Sequence, residues 1–123
     1  MDAKEIIKIR EQAELARKEG RNDEAITRMK EYLSLVHPSF TQQAWFFIAE
    51  ILFEKNQIKE ALAHCDESLR IMKDFIPAVE LRIKIYKSMG KDSEAKIDQT
   101  TIADYEAKEK AKWDDPDHYY HYK

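Results

Sequence analysis

Apolar residues recur every three or four positions along most of the chain, with charged residues filling the positions between them. After position 56 the apolar residues fall on one helical face over four turns, at Ile58, Ala61, Leu62, Cys65, Leu69 and Met72. The chain contains only 2 glycines and 3 prolines, and they lie where such apolar segments begin or end. The pattern predicts six helices, at residues 3–18, 22–36, 41–54, 57–73, 76–89 and 92–113.

Three similar strings divide these helices into pairs. They span residues 20–25, 56–61 and 90–95, and each carries Glu-Ala four and five residues after a Gly or an Asn. The alanines of the strings, Ala25, Ala61 and Ala95, lie 36 and then 34 residues apart. Because Gly and Asn enter the left-handed backbone conformation at the lowest cost, each string predicts a helix end, a tight turn and a new helix. The sequence therefore predicts three successive helix–turn–helix hairpins.

The composition narrows the class of protein. A length of 123 residues suits one domain, and a net charge of −3 disfavours a nucleic-acid binder, which needs a basic face for phosphate. The single cysteine excludes an internal disulfide framework and a zinc site built from several cysteines. No apolar stretch is long enough to span a membrane, and the first residues lack the apolar run of a signal peptide. We therefore expect a cytoplasmic protein.

Residue patterns typical of active sites are missing from the sequence. It contains no nucleophile–base pair, no glycine-rich phosphate loop and no strong metal-ligand spacing. We therefore expect neither an enzyme nor a bound cofactor. Cys65 lies inside the apolar stripe of the fourth helix, where we expect a small buried side chain rather than a reactive thiol.

The central hairpin resembles the tetratricopeptide repeat (TPR), a helix–turn–helix of 34 residues. The resemblance is carried by Trp45-x-x-Ile48-Ala49-x-x-Leu52 and, in the second helix, by Ala61-x-x-x-Cys65. It covers about residues 6–109, in repeats at about 6–39, 42–75 and 76–109. It implies an all-α, right-handed α-solenoid at residues 1–113, with the sixth helix as its cap and an acidic, aromatic tail at 114–123.

The outer two repeats match the family less well than the central one. Where the two helices of a repeat approach closely, small side chains are expected. In the TPR register these sites hold Ala13, Ala49 and Ile83 in the first helices and Ala25, Ala61 and Ala95 in the second. The departures from the pattern are Gln12, Arg82, Ile83 and Gln99. Degenerate terminal repeats are common in solenoids because their outer faces meet water.

The resemblance also implies a working surface, a concave groove lined by the first helix of each repeat. The positions that face this groove in the family correspond here to Ile7, Arg10, Glu14, Arg17, Gln43, Phe46, Glu50, Phe53, Glu80, Lys84 and Lys87. The chain is then expected to be a non-enzymatic adaptor or scaffold that binds a peptide or a partner protein in this groove.

Two interpretations of the aromatic residues in the third helix stay open. Phe46, Phe47 and Phe53 either pack in the core of the central repeat or form an aromatic floor for an apolar anchor of a bound peptide. In the second case the arginines of the first helix and the lysines of the fifth line opposite walls of the groove. Such basic walls favour a ligand that carries carboxylates.

Other roles fit the same fold. One alternative is a structural subunit that forms homo-oligomers through exposed repeat ends and the tail, and another is a chaperone for a secreted or assembled partner. The tail itself, which ends at Lys123, has three interpretations: a cap on the last repeat, a ligand for a groove of its own or another copy, or a set of Asp and His metal ligands without fixed geometry.

Overall fold

The computed structural model describes residues 1–114, and within them the backbone forms six α-helices and no strand. The helices are α1 (Ala3–Lys18), α2 (Asn22–Leu35), α3 (Gln42–Glu54), α4 (Ile58–Ile71), α5 (Ile76–Ser88) and α6 (Asp92–Asp114). The prediction of an all-α protein is confirmed, and every predicted helix is present with its ends displaced by two residues at most. The interpretations of the tail concern residues 115–123, which lie outside the described residues.

The three hairpin turns share one backbone geometry. Gly20, Asn56 and Gly90 have φ values of 80°, 62° and 72°, which is the left-handed conformation that the sequence predicts at these positions. In each turn the N–H of the following residue donates to the carbonyl five residues earlier in the helix, over 2.8, 2.9 and 2.8 Å. These bonds satisfy carbonyl groups that the helix end would otherwise leave unpaired.

The hairpins lie side by side in chain order. Helices α1 and α2, α3 and α4, and α5 and α6 pack as pairs, α3 packs closely against α2, and α5 packs closely against both α3 and α4. Within residues 1–114 the first hairpin makes no close backbone contact with the third. The array is therefore open at both ends rather than closed into a bundle, and one face of it is formed by α1, α3 and α5.

The core depends on small residues at the sites of close approach. All the predicted alanines are buried, at Ala13, Ala25, Ala49, Ala61 and Ala95. The space between the helices is filled by large apolar side chains, of which Ile48, Ile51 and Ile85 are fully buried. Burying each of these isoleucines stabilises the fold by about 1.5–3 kcal/mol. Within residues 1–114 no helix combines the length and the apolar composition needed to cross a lipid bilayer.

Helix α6 is longer than α5, with which it pairs, and carries a buried acidic residue. Its sequence predicts a solvated cap, yet Asp98 is 2% exposed and Ile102 packs against the core. Because Arg82 of α5 bonds to Asp98 and the two helices run antiparallel, the start of α5 lies beside position 104 of α6. The last ten or so residues of α6 thus extend about 15 Å beyond the start of α5.

Candidate interaction surface

The predicted groove positions lie on the surface formed by α1, α3 and α5, which we term the first-helix face. The structure brings Arg10, Glu14 and Gln43 together in a cleft of about 130 Å³ between α1 and α3, the α1–α3 cleft. Phe47, which the sequence suggests as part of an aromatic floor, and Tyr32 also line this cleft. Tyr32 was not assigned to the site, since its only signal was its place in an apolar stripe, which more often marks a core residue.

A second cleft lies on the other side of α3. This α3–α5 cleft has a volume of about 110 Å³ and is lined by Phe46, Glu50, Pro77, Glu80, Leu81 and Lys84. Four of these residues are predicted groove positions. Arg17, Phe53 and Lys87 line neither cleft, although Arg17 reaches Glu50 across the face. The first-helix face is therefore divided by α3 into two small clefts rather than forming one continuous trough.

The arginines on α1 are compensated by glutamates. Arg10 bonds to Glu14 over 3.0 Å and its guanidinium lies 5.9 Å from the centre of the Tyr32 ring. Arg17 bonds to Glu54 over 2.5 Å and approaches Glu50 within 3.7 Å. The hydrogen bond from Arg17 holds the pKa of the Glu54 carboxyl below its ordinary value. The arginines of the predicted wall on α1 are therefore paired with glutamates.

The lysines on α5 differ from the arginines on α1. Lys84 and Lys87 are both exposed, and within residues 1–114 no carboxylate forms an ion pair with either amino group. Among the predicted basic positions the uncompensated charge is therefore on α5, where Lys84 lines the α3–α5 cleft beside Glu80, whose carboxylate also forms no ion pair within residues 1–114. This arrangement keeps one of the two basic walls that the sequence suggests.

The aromatic residues of α3 combine the two interpretations that the sequence leaves open. Phe46 is half-buried, its ring packs edge-to-face against Phe75 at 5.8 Å and 81°, and it also lines the α3–α5 cleft. Phe53 is half-buried against the core without lining a cleft. Phe46 therefore has a packed edge and an edge that a ligand can touch.

An ion-pair network centred on Arg82 combines a buried carboxylate of the third hairpin with an exposed carboxylate of the second. Arg82 donates two hydrogen bonds to Asp98, over 2.8 and 2.7 Å, and a third to Asp66, over 3.0 Å. The bonds to Asp98 raise the pKa of Arg82 above its ordinary value. Sequence reasoning missed this network. Its signals were an arginine where the TPR pattern has leucine, and an aspartate in the inner stripe between Ala95 and Ile102.

Cys65 is confirmed as a small buried side chain. It is 0% exposed, and its Sγ donates a hydrogen bond to the Ala78 carbonyl over 3.0 Å. Burial raises the pKa of Cys65 to about 12, so the reactive thiolate is scarce at neutral pH. Among the described residues no group of three His, Cys, Asp or Glu side chains has the arrangement of a metal site.

A larger cleft lies next to the α1–α3 cleft, at the edge where α2 and α4 end, and Phe40 lines both clefts. This loop-edge cleft has a volume of about 510 Å³ and is lined by residues 38–40, Gln42 and residues 70–72. Phe40, at its mouth, is 89% exposed and has a φ of 63°. The sequence signal for this cleft was the spacing of 36 residues between Ala25 and Ala61, compared with 34 between Ala61 and Ala95. The longer spacing lengthens the loop after α2.

Comparisons with known proteins assign no family to this chain. No protein-family model matches the sequence, and a search of the curated proteins returns no significant match. The TPR resemblance therefore stays a prediction from the residues of the sequence.

Proposed function

We propose that the chain is a TPR-like, right-handed α-solenoid that acts as a non-enzymatic protein interaction module. Its three hairpins pack side by side in chain order, and the sites of close helix approach hold buried alanines. Both features are what stacked TPR repeats require. The proposal assigns the protein to the cytoplasm and gives it neither a catalytic step nor a cofactor.

The observation that carries this proposal is the pair of clefts on either side of α3. Each is large enough for one side chain, and together they contain seven of the predicted groove positions: Arg10, Glu14, Gln43, Phe46, Glu50, Glu80 and Lys84. Interface hot spots are often side chains that enter small, well-packed pockets, with aromatic residues prominent among them. An apolar side chain in the α3–α5 cleft would contact Phe46 and Leu81.

The charges on the first-helix face select the chemistry of the ligand. Because Arg10 and Arg17 already bond to glutamates, the attractive charge for a ligand comes from Lys84 and Lys87. The preferred ligand is therefore a peptide segment with an apolar or aromatic anchor and carboxylates on the α5 side of that anchor. Such charge pairs at a rim raise the association rate and the specificity more than the final affinity.

The test uses fluorescent ten-residue peptides that share one phenylalanine anchor and differ only in acidic or basic flanks. We expect the acidic peptide to bind, and the charge reversal Lys84→Glu with Lys87→Glu to weaken its binding about tenfold. Reversal of Lys108 and Lys112 to glutamate changes the net charge equally on exposed α6 and serves as the matched control.

Three results would contradict the proposal. They are equal binding of acidic and basic peptides, equal loss of binding in the control variant, or no binding of any anchored peptide. Anchor recognition is tested with Phe46→Ala plus Phe53→Ala, for which helical circular dichroism must stay intact. If that variant loses its helical signal, the two rings are core residues and the α3–α5 cleft is not the anchor site.

One observation favours the alternative of a self-assembling subunit. The end helices carry apolar side chains on their surfaces, with Ile7 and Leu15 52% and 50% exposed on α1 and Ile97 67% exposed on α6. Light scattering over a range of concentrations separates the two functions. A free adaptor stays monomeric, whereas a subunit that joins end to end gains mass with concentration and loses this gain in Ile97→Ser.

A further inference from the structure

The loop-edge cleft has walls that suit an aromatic side chain. They include Pro38, Phe40, Ile71 and Met72, and the volume of about 510 Å³ is much larger than that of either cleft on the first-helix face. Phe40 is held outward at the mouth by a left-handed backbone conformation that bulky residues rarely adopt. Strained residues of this kind persist where they serve a binding surface.

The polar groups at the cleft define what else an occupant must supply. Gln42 contributes to the wall, and its Oε1 atom is buried with no hydrogen-bond partner within residues 1–114. A buried acceptor of this kind requires a donor such as a hydroxyl or a ring N–H. Arg70 bonds to Glu67 through Nε and Nη2, so the uncompensated positive charge beside the cleft is that of Lys73, which follows the cleft residue Met72 and forms no ion pair within residues 1–114. The occupant therefore combines an aromatic ring, a hydrogen-bond donor and carboxylates.

The segment at 115–123 of this same chain has that chemistry. It contains Tyr119, Tyr120 and Tyr122, each with a ring and a hydroxyl donor, and two aspartates, Asp115 and Asp117. We propose that this segment binds the loop-edge cleft of its own molecule, with a tyrosine ring beside Phe40 and Met72 and its hydroxyl donating to Gln42. The aspartates then lie near Arg70 and Lys73.

The course of α6 places the segment within reach of the cleft. Helix α6 runs parallel to α4, and about ten residues of it extend past the start of α5, at the same edge of the array as the cleft. This extension places Asp114 about 15 Å beyond that edge. The nine residues that follow span about 30 Å when extended, and α4 and α6 lie at most about 20 Å apart because both pack on α5. The segment is long enough to turn back to residues 70–72.

The test is a cysteine cross-link in the full-length chain. Met72→Cys is combined in turn with Tyr119→Cys, Tyr120→Cys and Tyr122→Cys, and disulfide formation is followed under mild oxidation. We expect at least one pair to form an intramolecular disulfide about tenfold faster than a control pair in which Ile97→Cys replaces Met72→Cys. Ile97 is 67% exposed and lies about 25 Å from Asp114 along α6, so the segment can also reach it. The native Cys65 is fully buried and stays outside the reaction.

The role of Phe40 is tested in the fastest pair. Phe40→Gly removes the ring while glycine accepts the left-handed backbone, so the loop keeps its shape. We expect this change to slow the Met72→Cys cross-link about tenfold and to leave the control pair unaffected. Equal rates for the two pairs, or no effect of Phe40→Gly, would overturn the proposal. Cross-linked dimers in place of monomers would also overturn it, since the segment would then occupy another copy.

Discussion

The two junctions between neighbouring hairpins use the same types of helix, yet they are stabilised in different ways. At the first junction Arg17 of α1 bonds to Glu50 and Glu54 of α3, whose side chains are 46% and 52% exposed. At the second, Arg82 of α5 bonds across the junction to Asp66 of α4, whose side chain is 50% exposed, and within its own hairpin to Asp98, whose side chain is 3% exposed. Water therefore competes for the bonds that cross both junctions, and the second junction differs in the buried Asp98 that holds Arg82 in place.

The loops at the two junctions differ in length and in how far each buries its aromatic side chain. The loop between α4 and α5 spans residues 72–75, and its Phe75 turns inward onto Phe46. The loop between α2 and α3 spans residues 36–41, and its Phe40 turns outward into solvent. The shorter loop therefore has a half-buried aromatic ring, and the longer loop has an exposed one.

The two junctions also differ in how closely their helices pack. The second junction packs α5 closely on both α3 and α4, whereas at the first junction α3 packs closely on α2 alone. The wider separation of α1 and α3 leaves room for the α1–α3 cleft, and the longer loop forms one wall of the loop-edge cleft. The second junction is therefore the more closely packed of the two although it carries the α3–α5 cleft, and the first junction carries the α1–α3 and loop-edge clefts.

The largest expected effect is the loss of the ion pair between Arg82 and the buried carboxylate of Asp98. Arg82→Ala leaves the carboxylate of Asp98 buried without its partner, so we expect the free energy of unfolding to fall by about 3–5 kcal/mol. Urea denaturation measures this change. Replacing both Arg82 and Asp98 by leucine removes the charges together and should recover most of the loss. A single variant as stable as the parent would show that Asp98 gains water or another donor.

The next effect compares the two loop aromatics. Phe75→Ala should lower the free energy of unfolding by about 2–3 kcal/mol, somewhat less than for a fully buried ring, because Phe75 is half-buried against Phe46. Phe40→Ala should cost less than about 1 kcal/mol, since its ring is almost fully exposed within residues 1–114. Equal losses in urea denaturation would contradict the distinction between the two loops.

A smaller effect is expected for the ion pairs at the first junction. Arg17→Ala should cost about 0.5–1 kcal/mol, because Glu50 and Glu54 stay hydrated when their partner is removed. A double-mutant cycle with Glu54→Gln isolates the Arg17–Glu54 coupling, and 0.5 M salt should reduce it. A coupling as large as the effect of Arg82→Ala would mean that the Arg17–Glu54 pair is as well protected from water as the Arg82–Asp98 pair.

The smallest effect is the pH dependence of the same pair. The lowered pKa of Glu54 means that the folded state favours the ionised carboxylate. Its contribution to stability is complete above the ordinary glutamate pKa of about 4.3 and is lost as the pH falls through the lowered folded value. The stability difference between the parent and Glu54→Gln should therefore be constant above about pH 5 and shrink toward pH 3. In an Arg17→Ala background this trend should disappear.

The helices and their turns could be predicted from local patterns. Gly20, Asn56 and Gly90 sit where only a left-handed residue closes the hairpin, and the alanines that follow them are buried as expected. The groove positions could be placed only by resemblance to TPR, and the structure groups most of them around α3. The ion pairing of Arg17 could not be predicted, because its partners Glu50 and Glu54 lie on a different hairpin far away in the sequence.

The sequence by itself determined the elements of this protein: six helices, three tight turns and the small residues that let paired helices approach. These features depend on interactions within about one helical turn, so a local pattern is sufficient to specify them. Only the tertiary structure decided that Arg82 meets Asp98, that Phe75 is covered while Phe40 is not, and that α3 separates two clefts. These features depend on how side chains from different helices pack together, which is set by the tertiary arrangement of the array.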